Sequence, residues 1–412
     1  MRHLCYSLES EGVKLQIQTY WLALIPILFG LGWLAARWEM RLQDFEDDVE
    51  QTKKERSTFR GINLLLSEQH DKAIDALVEV AKLDPETTEL HFALGSLFRR
   101  RGETERAIRV HQHLSNRQDI LPRDRAHAAY ELGRDFLRAG MLDRAEASLN
   151  LVIEGRYHLP AKAALLEMYQ IEKDWRKAII AANELGTLEK KDYQDQVAHF
   201  YCEIAIESIR SKNLSAAKEA IDQALYAVPH HIRATILRGE LAIAHQKPLE
   251  AIETWGNIEK KFPAYLHLIA DKWMKAFTEL NRETEGLERL KLHLLEQGSG
   301  ELLDIVFKHV LRIQGPQPAQ ALINTVMLDT PSLTAMTKRF EAQYMIAQEG
   351  GQEAMIGEIK ASLDLLKQKT NSLARYTCSS CGFRAKRFYW QCPGCNHWDV
   401  YSPKRSEGIG VA

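Results

Sequence analysis

The sequence lacks the short motifs that mark common nucleotide and hydrolytic metal sites. It contains no phosphate-binding loop of the G-x-x-x-x-G-K-[ST] type, no G-x-G-x-x-G and no H-E-x-x-H. A strong charge of either sign is also absent, because the formal net charge is −2. Attraction of the whole chain to nucleic acid is therefore not expected. We predict a binding protein without catalytic residues, in which these histidines are structural: His111, His113, His230, His231 and His397.

Cysteine is scarce and unevenly placed. Only six cysteines occur in 412 residues, and four of them fall within the last 35. Cys5 and Cys202 stand alone. The disulfide framework of a secreted protein would spread its bridges over the fold, whereas clustered C-x-x-C pairs are typical of a metal site in a reducing compartment.

An uncharged segment, residues 15–36, follows a short N-terminal tail of residues 1–14. A helix of this length would measure about 33 Å, which is enough to cross the hydrocarbon core of a bilayer. Aromatic residues typical of a membrane interface lie towards its two ends: Tyr20, Trp21, Trp33 and Trp38. We predict a transmembrane helix here, and a cleaved signal peptide is the alternative.

Basic residues indicate the orientation of this predicted span. Arg2 and Lys14 precede it, and a larger group follows it: Arg37, Arg41, Lys53, Lys54 and Arg56. Cytoplasmic flanks carry the excess of lysine and arginine. We therefore expect residues 37–412 to face the cytoplasm, with residues 37–53 as a juxtamembrane connector.

A repeat of about 34 residues is the strongest indication of the fold. One motif occurs twice in nearly the same form: Leu94-Gly95-x-x-Phe98 with Gly102 and Ala107, then Leu132-Gly133-x-x-Phe136 with Gly140 and Ala145. This pattern resembles the tetratricopeptide repeat, in which small residues occur where helix A crosses helix B. The pattern predicts an all-α solenoid of helix pairs.

Small residues mark the other repeats, several with a proline twelve residues later. The small residues are Ala73, Ala107, Ala145, Ala178, Ala217 and Ala251, and more weakly Gly286, Ala319 and Ala354. The prolines are Pro85, Pro229, Pro263 and Pro331. Because proline cannot continue a helix, each sets the turn into the next repeat. We predict one array over residues 54–370, with about nine repeats of which the last three are degenerate.

Helix A positions that would line the concave face of this array combine arginine with aromatic residues. The register of Ala107 and Ala145 assigns six residues to it: Phe92, Arg99, Arg100, Tyr130, Arg134 and Arg138. Such a groove suits an extended acidic or carboxylate-ended segment of a partner. The alternative is that these arginines pair with glutamates of the same chain or face water.

Two C-x-x-C pairs lie in a predicted module of residues 374–402. Cys378 and Cys381 form the first pair, and Cys392 and Cys395 form the second. Such pairs place four thiolates around one ion and leave no position for water, so a structural site is expected. Thiolate-only sites accept zinc or iron. Zinc is preferred, since no electron-transfer cofactor motif is visible.

The same module carries more aromatic surface than so short a segment hides: Phe383, Phe388, Tyr389, Trp390 and Trp398. A module of this size needs its metal to fold. We expect some of these rings to dock onto the last repeats. Stacking on nucleic acid is the alternative, because Arg384, Lys386 and Arg387 interleave with the rings. Residues 403–412 are expected to form a flexible tail.

The order of these parts resembles the lipopolysaccharide assembly protein B family of Gram-negative bacteria. A membrane span, a tetratricopeptide array and a rubredoxin-like C-x-x-C-G…W-x-C-P-x-C pair cover nearly the whole chain. The family's metal ligands correspond to Cys378, Cys381, Cys392 and Cys395. The resemblance implies a single-pass inner-membrane adaptor that promotes destruction of the deacetylase LpxC by the protease FtsH. It also implies that one partner is an inner-membrane regulator, which itself senses lipopolysaccharide.

Two other functions stay open at the level of sequence. The chain could be a membrane scaffold that gathers proteins of lipopolysaccharide synthesis or export. It could instead be an RNA-binding regulator that acts through the basic, aromatic module, although nucleic acid is not the expected partner. A homodimer is compatible with a repeat array.

Overall fold

The computed structural model describes most of the chain after residue 86. The described residues are 87–297, 300–372 and 375–403, together with Leu31, Trp33 and Arg37. Apart from Leu31, Trp33 and Arg37, the predicted membrane span and connector lie outside these residues, as do the first repeat around Ala73 and nearly all of the predicted tail. Among the residues that are described, no helix combines the length and the apolar character needed to cross a membrane.

Helices make up nearly all of the described chain, which confirms the all-α, repeat-like prediction. They are α1 (Thr88–Arg101), α2 (Thr104–Asn116), α3 (Pro122–Arg138), α4 (Leu142–Asn150), α5 (His158–Glu172), α6 (Trp175–Glu189), α7 (Gln194–Arg210), α8 (Leu214–Ala227), α9 (Ile232–Ala244), α10 (Pro248–Lys261), a 3-10 helix (Pro263–Leu268), α11 (Ala270–Glu279), α12 (Glu283–Gln297), α13 (Gly300–Gln314), α14 (Pro316–Asp329), α15 (Leu333–Glu349) and α16 (Glu353–Ser372). Two short strands follow, β1 (Tyr376–Thr377) and β2 (Arg384–Ala385).

The chain divides into two compact units, Met1–Ala164 and Leu165–Ala412. In the first unit, α1 packs against α2 and α3 packs against α4. A Cβ atom on Gly95 would lie 2.4 Å from Nε2 of His111, and one on Gly133 would lie 2.6 Å from Cγ of Leu149. Glycine at these two positions therefore permits the close crossing of each helix pair.

In the second unit the later helices pack as successive pairs around large buried side chains. Helix pairs α7–α8, α9–α10, α11–α12, α13–α14 and α15–α16 are all in contact. Trp255, Trp273 and Phe277 are fully buried in one continuous core. A Cβ atom on Gly239 of α9 would lie 2.2 Å from Nε1 of Trp255 on α10. The absence of a side chain at Gly239 thus leaves room for the Trp255 ring on the partner helix.

The predicted marker residues lie at helix contacts. Six of the alanines have no exposed surface: Ala107, Ala145, Ala178, Ala217, Ala251 and Ala319. Within the described residues the helices fall into eight successive pairs in chain order, and each pair carries one predicted marker. The total of nine repeats stays a prediction, because the repeat at Ala73 is not described.

Proline marks the ends and starts of several helices, as its chemistry requires. Pro229 and Pro331 follow the last residues of α8 and α14. Pro122, Pro248 and Pro316 occupy the first turn of α3, α10 and α14. The missing N–H of proline costs nothing in a first turn, where no intrahelical acceptor exists.

A small β module follows α16. Its strands β1 and β2 pair antiparallel, with Tyr376 opposite Ala385. Isolated bridges join Cys378 to Tyr401 and Gln391 to Trp398. Strands of two residues bury too little apolar surface to be stable alone, so the module depends on metal and on its contacts with the helices.

Candidate metal centre and its docking surface

The β module brings the four predicted cysteines together. Sγ of Cys378 lies 3.8 Å from Sγ of Cys395, and Sγ of Cys381 lies 3.7 Å from Sγ of Cys392. A tetrahedral site with metal–sulfur bonds of about 2.3 Å requires sulfur–sulfur edges of roughly 3.8 Å. The residues present therefore fit one thiolate-bound metal ion.

Local backbone geometry holds these sulfurs in place. The N–H of Cys381 donates to Sγ of Cys378 at 3.4 Å, and the N–H of Gly394 donates to Sγ of Cys392 at 3.4 Å. Gly382 has a φ of 74°, the left-handed conformation that closes the first knuckle. When bound, the metal supplies the cross-link between the two knuckles.

The environment of Cys392 favours its thiolate form. Burial disfavours its charged form, but hydrogen bonds to the sulfur outweigh that effect. The hydroxyl of Tyr401 donates to it at 3.6 Å, and the N–H of Gly394 adds a second bond. The pKa of Cys392 is lowered to about 6. A thiolate at neutral pH is the form that binds metal.

Trp398 anchors the β module to the helices of the second unit. Its ring stacks on His199 of α7 with centroids 4.7 Å apart, and it meets Phe200 and Trp175 edge-on at 5.9 and 6.3 Å. Its Nε1–H donates to Oε1 of Gln170 at 3.0 Å. Only 9% of Trp398 is exposed. A large ring with a satisfied polar edge makes this the centre of the docking surface.

A second aromatic contact lies around Trp390. Its ring stacks nearly parallel to Tyr265 at 5.9 Å, and Phe388 packs edge-on to it at 4.9 Å. Close by, Nδ1–H of His267 donates to the carbonyl of Ala264, which leaves Nε2 to accept from the Tyr376 hydroxyl at 3.4 Å. Both contacts hold the module on the 3-10 helix.

The prediction that aromatic rings of the module dock onto the repeats is confirmed, but the predicted position of that contact is wrong. Phe388, Trp390 and Trp398 do pack against the repeats, but against α5, α6, α7 and the 3-10 helix. The expected partners were the last repeats, which are marked by Gly286, Ala319 and Ala354 and correspond to α11 to α16. No local pattern identifies these partners, because His199 and Trp398 are separated by almost half of the chain.

The residues predicted for the partner groove lie in the first unit with different environments. Phe92 is buried and stacks on His127 at 3.9 Å, while Tyr130 is half-buried. Arg100, Arg134 and Arg138 are exposed, and Arg134 lies over the Tyr130 ring at 5.7 Å. The assignment of these residues to a partner stays a prediction.

Arg99 belongs to an internal ionic network. It pairs with Glu131 and, at 2.8 Å, with Asp135 of α3. Asp135 also lies 2.5 Å from Nδ1 of the fully buried His111. Burial disfavours the charged form of Glu131, but bonds from His127 and Arg99 lower its pKa to about 2. For Arg99, the alternative of pairing within the chain is therefore observed.

Comparison with known proteins agrees with this architecture. A family model described as the rubredoxin metal binding domain matches residues 376–400, and a tetratricopeptide repeat model matches residues 60–111. The lipopolysaccharide assembly protein B of Escherichia coli (strain K12) is 30% identical over 384 residues, which is 93% of this chain and 97% of that protein. The chain belongs to the lipopolysaccharide assembly protein B family.

Another member of the family is more distant but equally complete. The lipopolysaccharide assembly protein B of Haemophilus influenzae (strain ATCC 51907 / DSM 11121 / KW20 / Rd) is 28% identical over 394 residues, covering 92% of this chain and 96% of that protein. Members of the lipopolysaccharide assembly protein B family therefore match both the helical part and the metal module of this chain.

Proposed function

We propose that this protein is an inner-membrane adaptor of lipopolysaccharide assembly that promotes proteolysis of LpxC by FtsH. The observation that carries the proposal is similarity over 93% of the chain to a protein named for lipopolysaccharide assembly. The proposed partners are FtsH, LpxC and an inner-membrane regulator that senses lipopolysaccharide. A single-pass anchor formed by residues 15–36, with the rest of the chain in the cytoplasm, is part of the same proposal.

The architecture supports a binding role without chemistry. Stacked helix pairs present extended surfaces to other proteins. Four thiolate ligands leave no coordination position for a substrate or water. A tether would confine the protein to the membrane surface and raise the local concentration of one partner near another. The proposal therefore includes no catalytic residue.

The docked module supports the adaptor function by making one composite surface. Trp398 packs on α7 and Trp390 packs on the 3-10 helix, and both rings lie beside His199. Arg384, Lys386 and Arg387 are exposed on that module. A surface held in one arrangement loses less entropy when a partner binds.

The same contacts weaken the RNA-binding alternative. Phe388, Trp390 and Trp398 are engaged by protein, whereas base stacking needs free ring faces. Phe383 and Tyr389 are the two predicted stacking residues that are exposed. Two exposed rings offer a smaller platform for successive bases than the five rings of the predicted stacking set.

For the metal we propose zinc. The sulfur–sulfur distances suit either zinc or iron, and a structural role needs no redox chemistry. Elemental analysis and the visible spectrum of purified protein decide between them, because tetrathiolate iron is coloured and zinc is not. A red, iron-loaded protein from cells grown with both metals would contradict the zinc assignment.

The function is tested by the half-life of LpxC after translation is stopped, in cells with and without this protein. We expect LpxC to persist when the protein is absent, and normal turnover to return with the intact chain. Trp398→Ala should restore turnover poorly, whereas Tyr389→Ala, at an exposed ring of the same module, should restore it fully. Replacing Arg100, Arg134 and Arg138 together tests the groove in the same assay.

An unchanged half-life of LpxC would refute the adaptor proposal. If lipopolysaccharide content still changed under that condition, the scaffold alternative would account for it. Fractionation of cell membranes tests the anchor separately. Recovery of the intact chain in the soluble fraction would contradict the proposed localisation.

A further inference from the structure

A second group of metal-binding side chains lies where the β module meets the helices. His199 of α7, His231 at the start of α9 and Asp399 of the β module offer ligand atoms that all lie within 4.8 Å of one another. None of the three belongs to the four-cysteine centre. His231 was expected to be structural, and no sequence motif includes His199 or Asp399.

His199 has an unsatisfied buried nitrogen. The residue is fully buried, and its Nε2 lies 2.6 Å from Oδ2 of Asp399. Its Nδ1 is also buried and has no hydrogen-bond partner among the described residues. Because Asp399 lies at Nε2, an ion shared by His199 and Asp399 would be held at Nε2, and the His199 ring would carry its proton on Nδ1.

His231 is held in its neutral form, which is the form that binds metal. Burial lowers the pKa of His231 to about 3. Its Nδ1 accepts from the N–H of Ala234 at 3.3 Å and lies 3.8 Å from Sγ of Cys202. Coordination through Nε2 would move the ring proton to Nδ1, so the bond from the Ala234 N–H would be exchanged for a bond from Nδ1–H to the Cys202 sulfur.

Asp399 brings negative charge and access from solvent. It has a φ of 53°, an uncommon conformation that aspartate tolerates and that directs its carboxylate to His199. Its side chain is 46% exposed, which leaves a path for an ion. Arg233, which lies over the Trp398 ring, is paired with Glu203 at 2.6 Å. Asp399 therefore supplies a carboxylate ligand beside the two imidazoles.

We propose that His199, His231 and Asp399 bind a second divalent metal ion, which ties the β module to the helices. Two imidazoles and a carboxylate form a ligand set that suits zinc and related transition metals, with room for water. The two histidines come from the repeats and the aspartate from the β module, so the ion would bind only the docked arrangement. This inference does not depend on the proposed role in LpxC turnover.

The first test is the zinc content of the full-length protein purified in detergent. After dialysis against a chelator, zinc is added back and measured by elemental analysis per chain. We expect one ion held by the four thiolates and a second, weaker ion. His231→Gln and Asp399→Asn should lose the second ion alone. His230→Gln, at the exposed neighbouring histidine, is the matched control and should keep both.

Cobalt distinguishes the two sites by their spectra. Thiolate ligands give cobalt(II) intense near-ultraviolet charge-transfer bands, whereas imidazole and carboxylate ligands give only weak visible bands. We expect His231→Gln to lose the weak bands and keep the intense ones, which also shows that the module remains folded. Zinc added beyond the first equivalent should raise the Tm of the intact protein, and this rise should be absent in His231→Gln.

Two results would overturn the proposal. One is intact protein that binds a single ion and gains no further Tm at higher zinc, which would leave His199 and Asp399 as a direct hydrogen-bonded contact. The other is a second ion that both variants retain, which would place it elsewhere in the chain.

Discussion

Truncation of Trp398 should release the β module from the helices while leaving its metal bound. The ring lies at the centre of a contact with His199, Phe200 and Trp175, and its N–H is paired with Gln170. A buried tryptophan removes roughly 200 Å² from water, which is worth about 5 kcal/mol at 25 cal per mole per Å². The hydrogen bond adds about 1 kcal/mol.

Part of this energy is retained in the variant, because alanine still covers some surface and the undocked module is not fully extended. Large-to-small changes at buried aromatic residues cost about 3–5 kcal/mol, and we expect Trp398→Ala to fall in that range. The equilibrium for undocking would shift towards the open form by roughly two to three and a half orders of magnitude.

Hydrogen exchange followed by mass spectrometry measures this shift. Peptides from the β module and from α7 should lose protection in Trp398→Ala, while the later pairs α13 to α16 should not change. Tyr389→Ala removes a 40% exposed ring from the same module and should alter protection little. The thiolate-bound metal should be kept in both variants, whereas the proposed second ion, which needs the docked arrangement, should be lost from Trp398→Ala alone.

Two outcomes would refute the reasoning. Protection in Trp398→Ala that matched Tyr389→Ala would mean that the module is held mainly at Trp390. Loss of the thiolate-bound metal in Trp398→Ala would mean that Trp398 stabilises the interior of the module rather than its attachment.

Three further predictions follow from individual sites. Gly239→Ala should destabilise the second unit by about 1–3 kcal/mol in chemical denaturation, because the new Cβ would lie against Trp255. Gly357→Ala is the control: its Cβ would enter open space, and the variant should be more stable by up to about 1 kcal/mol. Cys392→Ser should abolish tight metal binding and make the β module protease-sensitive; a fully loaded variant would contradict the four-thiolate site. Burial lowers the pKa of His231 from 6.5 to about 3, so the unfolded chain binds more protons than the folded chain between these pH values. The free energy of unfolding should therefore fall by up to about 1.4 kcal/mol per pH unit as the pH drops below 6.5. His231→Gln should reduce that slope.

The repeat fold and the metal ligands were accessible from sequence because both are encoded by short-range spacing. An alanine or glycine at a helix crossing is required by local packing, as Gly95 beneath His111 illustrates. The cysteine pairs likewise form knuckles from residues three apart, stabilised by backbone N–H groups within the same turn. Patterns of this kind are visible without knowing what lies opposite.

Pairings between distant residues had no such signature. Arg99 was assigned to a groove from its helix position, but the fold places Glu131 and Asp135 of the next helix pair beside it. A periodic pattern states which face of a helix a residue occupies and not which charge faces it. The choice between a free and an internally paired arginine therefore needed the structure.

Sequence alone determined the helix-pair repeat, the four thiolate ligands and the excess of aromatic rings that had to be buried. Only the tertiary structure decided where those rings are buried, since His199 and Asp399 meet across 200 residues. Local spacing restricts the conformations of a few neighbouring residues, whereas a contact over that distance depends on how every intervening helix pair packs. The docking surface, and the second group of ligands within it, are consequences of that packing.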